Sequence, residues 1–156
     1  MEIAGLPLHP LLVHATVVML PLSATATALL AVVPRWRWLT RWPAAVLGVL
    51  APALAWLART SGKALLDARP QLAQLVEEHE ELGELLAWAS IPYALVVLLG
   101  AWLLPGPSPL PNGRGGRPAR SPVLERLLPV VLVLAAIPVL VLVVLAGDSG
   151  ARAVWG

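Results

Sequence analysis

The sequence predicts an all-α membrane protein, a four-transmembrane-helix bundle with an extended outer helical segment preceding the third span. Three observations carry that expectation. The chain of 156 residues is 58% hydrophobic and 13% charged with a mean hydropathy of +0.80, too apolar for an ordinary soluble domain. Four stretches, at about 11–33, 43–60, 85–104 and 124–146, carry charge only at their ends, and a bilayer crossing needs about 20 such residues. Finally, the basic residues fall in particular connecting loops, as the positive-inside rule requires. The whole of 1–156 reads as a single membrane domain.

The first span opens at Leu6-Pro7-Leu8-His9-Pro10-Leu11-Leu12-Val13-His14, where two of the three histidines stand. Pro10 suits the first turn of a helix, where its missing N–H would have no partner anyway. Glu2 and the absence of a basic n-region predict that this run is kept as a helix, not cleaved as a signal. Ala24 and Ala28, with Ser23 and Thr27 beside them, form a small-residue face suited to helix contact. Pro34 ends the run. In the loop that follows, Arg35, Arg37 and Arg41 alternate with Trp36, Trp38 and Trp42, a positive-inside signal combined with an interfacial aromatic belt.

The second span is the shortest, extended by the snorkelling side chains of Arg59 and Lys63, and Thr60-Ser61-Gly62-Lys63 reads as a turn after it. From Gln71 to Leu86 the apolar positions Leu72, Leu75, Val76, Leu82 and Leu86 recur at helical spacing. At 100° per residue His79 lies within their stripe, opposite a solvated face of Glu77, Glu80, Glu81 and Glu84. A helix entered after Pro70 would run on into the third span. Segment 105–122, rich in Pro and Gly and holding Arg114, Arg117 and Arg120, reads as a flexible cytoplasmic loop. Each span has a proline near its middle (Pro21, Pro52, Pro92, Pro138), which calls for a neighbouring partner or a local kink. No further internal repeat stands out.

The two proposed inner loops, with Arg126, hold seven basic residues and one acid, against four basic residues and eight acids elsewhere. This bias predicts a multi-pass protein of the plasma membrane with both termini extracytoplasmic. It also gathers His9, His14, His79 and Asp148 at the outer end. Neutral imidazole is the commonest metal ligand and carboxylate a frequent partner, so these four are the candidate cofactor-binding residues, with His14, His79 and Asp148 the candidate metal ligands. His9 and His14 are five apart, about 140° around a helix, so an i, i+4 zinc-helix pair is absent.

The sequence resembles the family of small bacterial membrane proteins known as domain of unknown function 2231. The resemblance lies in Gly5 to His14, in Ser61-Gly62, in His79-Glu80 with Gly83, and in Gly147-Asp148-Ser149-Gly150 with Val154-Trp155-Gly156. It implies a four-helix fold with a histidine-rich outer end. The family's last motif usually reads Gly-His-x-Gly, so Asp148 stands where the resemblance implies a histidine.

Chemistry is narrowed by what is missing. With no cysteine, disulfides, thiolate sites and c-type haem attachment are excluded. No nucleophile elbow or phosphate-cradling loop argues for an enzyme, and no intramembrane carboxylate or lysine argues for a transporter. Arginines between apolar spans mark topology, and nucleic acid is not an expected partner. Two functions fit: an outer His/Asp cluster binding haem b or a transition metal, in electron transfer or respiratory assembly with a membrane redox partner, or a non-catalytic accessory subunit whose polar cluster ties helix ends together. Either protein contacts the lipid bilayer, and a homo-oligomer is compatible with both.

Overall fold

The computed structural model describes every residue except Met1, Ala4, Gly5, Pro109, Pro111 and Gly113, with Glu2, Ile3, Leu6 and Pro7 described in backbone only. Gly5, the first residue of the amino-terminal motif, therefore lies outside the described residues. Among the described residues four helices are long and apolar enough to cross a membrane: α1 (Leu8–Val32), α2 (Arg37–Ala68), α3 (Glu77–Leu103) and α4 (Pro122–Trp155). They form a ring in sequence order, each packed on its two neighbours, with α1 and α3 diagonally opposite.

Lipid tails are as apolar as leucine, so the helices are held by close packing and internal hydrogen bonds rather than by expulsion of apolar surface from water. α2 makes this plain. Its buried seam is Ala44, Gly48, Ala51, Ala55 and Ala58, small residues at alternating steps of three and four, while Val46, Leu50 and Leu57 face outward. Larger core residues come from the other helices: Leu20 and Leu30 of α1, Tyr93 and Val97 of α3, and Leu132 and Val139 of α4. The Tyr93 hydroxyl crosses the diagonal to hydrogen-bond Ser23 (2.8 Å) and Thr27 (3.0 Å). The small-residue face of α1 is thus also a polar contact.

The prolines do not interrupt the helices, and only Pro52 of the mid-span set is buried. Pro92 and Pro138 face outward rather than toward a partner. The core positions belong to the next residues, Tyr93 and Val139, and a sequence neighbour is turned about 100° away.

Two expectations are corrected. Thr60-Ser61-Gly62-Lys63 is not a turn but part of α2, which continues to Ala68. The Thr60 and Ser61 hydroxyls donate to the carbonyls of Leu57 and Ala58, so their polarity is met inside the helix. The segment before the third span is helical but in two pieces: a 3-10 turn over Pro70–Leu75, a break at Val76, and α3 from Glu77. A 3-10 turn has three residues per turn, so the stripe is lost there and Leu75 is exposed. At the base of segment 105–122, Gly106 and Arg117 exchange main-chain hydrogen bonds of 3.1 and 2.9 Å.

The opposite end of the bundle from the histidines is closed by arginines. Leu30 and Ala101 each lie four residues before a proline, Pro34 and Pro105, so the N–H that would bond their carbonyls does not exist. Arg37 Nε donates to Leu30 O (3.1 Å), its other nitrogens reaching Ala31 O and Pro105 O; Arg41 donates to Ala101 O and to Leu104 O (2.7 Å). Both arginines are buried. Although both residues belong to the first turns of α2, their guanidiniums lie at the C-terminal ends of α1 and α3, where the dipole favours a cation.

Candidate binding site at the histidine end

Ala-x-x-Ser-Gly occurs twice, as Ala58 to Gly62 in α2 and Ala146 to Gly150 in α4. Each copy receives one histidine from the amino-terminal end of the preceding helix. His9 Nδ1 lies 3.0 Å from Ala58 O, and His79 Nδ1 lies 2.8 Å from Ala146 O. A carbonyl only accepts, so both rings carry the proton on Nδ1 and, when neutral, a lone pair on Nε2. Ser61 and Ser149, both buried, donate their hydroxyls to the same two carbonyls (2.8 and 3.1 Å), and Ser61 Oγ is also 3.3 Å from His9 Nδ1.

The glycine that ends each unit makes room for the ring. A Cβ on Gly62 would stand 3.0 Å from His9 Cε1, and one on Gly150 would stand 2.9 Å from His79 Cε1 and Nδ1. A Cβ at either position would crowd the imidazole, which would have to shift. The chain is therefore built of two matching hairpins, each consisting of a histidine, a helix ended by proline, and an Ala-x-x-Ser-Gly helix.

The two histidines meet. Their ring centroids are 5.9 Å apart at an interplanar angle of 73°, edge to face. Both border a largely apolar cavity of about 130 Å³, which residues of all four helices line, among them Thr16, Ala55, Leu86 and Val143. Neither Nε2 has a hydrogen-bond partner among the described residues, and no buried side-chain nitrogen or oxygen is left unpaired, so both Nε2 atoms keep accessible surface.

At the cavity rim Glu84 joins α3 to α2. It takes two hydrogen bonds from Arg59 (2.6 and 2.7 Å), an ion pair from Lys63 (3.0 Å) and a bond from Trp88 Nε1 (2.9 Å). Trp56 packs edge to face on Trp88 at 5.1 Å, and Arg59 lies 5.0 Å above the Trp56 ring. Glu84 is thus not part of a free solvated face.

Of the four candidate residues, His9 and His79 come together and two do not. His14 is exposed on the outside of α1, its Nδ1 2.6 Å from Pro10 O one turn back. Both histidines of the first motif are helical, and the angle between them turns His14 away. Asp148 is also exposed and pairs with Arg152 at 2.8 Å, one turn along α4. Ser149 and Gly150 hold the inward positions. His79 was expected to reach His14 or Asp148; it reaches His9 and Ala146 instead. Among the described residues no group of three or more His, Asp or Glu is placed to hold a metal ion, and the triad of His14, His79 and Asp148 does not form. Sequence reading passed over Ser61, Ser149 and the Ala58 and Ala146 carbonyls as site elements, although the repeated Ala-x-x-Ser-Gly was there to be seen.

The family model described as Predicted membrane protein (DUF2231) matches residues 5–156, which include both histidines and both Ala-x-x-Ser-Gly units. No curated protein and no solved structure matches the chain. A four-helix chain matched over nearly its whole length, with a paired-histidine end, belongs to the DUF2231 family of membrane proteins.

Proposed function

We propose that the histidine end binds a single transition-metal ion through Nε2 of His9 and Nε2 of His79, on the extracytoplasmic side, in electron transfer or in assembly of a membrane respiratory partner. The observation that carries this reading is the matched tautomer: both rings donate Nδ1–H to a main-chain carbonyl, the arrangement that orients metal-ligating imidazoles and raises their basicity. Two imidazoles bound to one ion at about 2 Å have centroids about 5–6 Å apart, and these stand at 5.9 Å.

The extracytoplasmic placement rests on loop charge. It is tested by alkaline phosphatase fusions, active after Asp67 and inactive at Asn112. Metal binding is tested by elemental analysis of detergent-purified protein. Near-stoichiometric metal should be lost in His9→Ala and His79→Ala and kept in His14→Ala. A folded wild-type protein without metal, or one whose metal survives loss of both histidines, ends this reading.

One observation favours the non-catalytic alternative. Each Nδ1 bond, taken alone, ties one helix to the next, α1 to α2 and α3 to α4. A metal-free protein that is destabilised by either histidine substitution is the outcome that selects it.

A further inference from the structure

We infer that the arginine end carries a binding site for the phosphate of an anionic phospholipid, in the cleft between the Pro34–Trp36 turn and the base of segment 105–117. This is independent of the histidine site. Charge first points to it. Seven arginines lie at this end, at 35, 37, 41, 114, 117, 120 and 126, with Glu125 the only acid. Every ion pair among the described residues lies at the other end: Glu84 with Arg59 and Lys63, and Arg152 with Glu78 and Asp148. Arg37 and Arg41 are buried, but the other five arginines lie at or near the surface with only Glu125 to offset them, and at a membrane the nearest further anions are lipid headgroups.

The cleft gives that charge a place. It offers about 380 Å³ and is lined by Pro34, Arg35, Arg37, Gly106, Arg117 and Glu125, with two further prolines. Arg37 is committed to three carbonyls and forms the floor. Arg35 is exposed and lies 5.6 Å over the Trp36 ring, and Arg117 is half-buried, bonded to Trp102 O at 3.0 Å and 5.4 Å over the Trp102 ring. These two guanidiniums flank the cleft and keep N–H groups to spare, since each has five. Trp36 and Trp102 are themselves exposed, and tryptophan settles at headgroup depth. Their rings hold the two guanidiniums at the level of lipid phosphates. Guanidinium suits a phosphate because its fork binds two oxygens at once.

The experiment uses the full chain in detergent and follows retention of phosphatidylglycerol against phosphatidylcholine of the same acyl chains by native mass spectrometry. Wild type should retain phosphatidylglycerol preferentially. Arg35→Gln/Arg117→Gln should weaken that retention about thirtyfold, because each of the two basic residues near a lipid surface contributes on the order of 1 kcal/mol. Arg114→Gln/Arg126→Gln, equal in charge change but outside the cleft, should not. Arg35→Gln alone, which breaks no hydrogen bond, gives the same direction if the double variant fails to fold. Equal retention of both lipids, equal loss in the two double variants, or full displacement of the lipid by millimolar inorganic phosphate would each overturn the assignment.

Discussion

The two ends of the bundle both place cationic or protonated nitrogens on main-chain carbonyls, but for different reasons. At the arginine end the carbonyls are in need. Leu30 and Ala101 have lost their helical partners to Pro34 and Pro105, and Arg37 and Arg41 replace them. At the histidine end the carbonyls are not in need, because Ala58 and Ala146 lie inside continuous helices. There the helices serve the side chains: carbonyl, serine and glycine together fix the ring and its tautomer. A group that repairs a helix end is structural by construction, whereas at the histidine end a carbonyl, a serine and a glycine are arranged about a ring whose Nε2 has no partner among the described residues.

This contrast can be broken by substitution. The largest effect is expected at Arg37→Leu, which leaves three carbonyls without a donor; unfolding followed by tryptophan fluorescence in detergent should show a loss of about 3–5 kcal/mol. Gly150→Ala comes next, at about 1–3 kcal/mol from overpacking against His79. If His79 is a ligand, metal content falls with it. Gly62→Ala should cost a similar amount, since the added carbon meets His9 at 3.0 Å. A result in which Gly150→Ala is harmless would show that the ring is not pinned. Tyr93→Phe, which removes the central polar contact and touches neither end, should cost about 0.6–1.7 kcal/mol. The smallest effect belongs to Asp148→Asn, about 0.3–0.5 kcal/mol for an exposed pair one turn apart, with metal content unchanged.

Much of the fold was legible because a bilayer allows few alternatives: long uncharged runs must be helices. The inward side of His79 was legible too, from Leu82 and Leu86 at helical spacing. What misled was treating depth as proximity. His9, His14, His79 and Asp148 share one end of the bundle, yet a helix has a circumference as well as a length, and His14 and Asp148 point away around it. Polarity misled in the same way at Thr60 to Lys63, where hydroxyls bonding back to their own helix let it continue. Arg37 and Arg41 were read only as topology signals. The prolines four residues beyond Leu30 and Ala101 already implied unmet carbonyls, but which side chains would reach them depends on the turn of the chain between α1 and α2, and that is a tertiary fact.

The glycine seats have a mechanical consequence. Each imidazole lies in a notch only one residue wide, so it acts as a pin between neighbouring helices. A slide of α2 by one turn, about 5.4 Å, would bring Ala58 or Leu66 against His9; the same slide of α4 would bring Ala146 or Val154 against His79. Both meet a side chain where glycine leaves none. Ratcheting of one helix past another is therefore closed to this end of the bundle, and any movement that opens the cavity must swing the helix tops apart or rotate the rings while the axial register stays fixed.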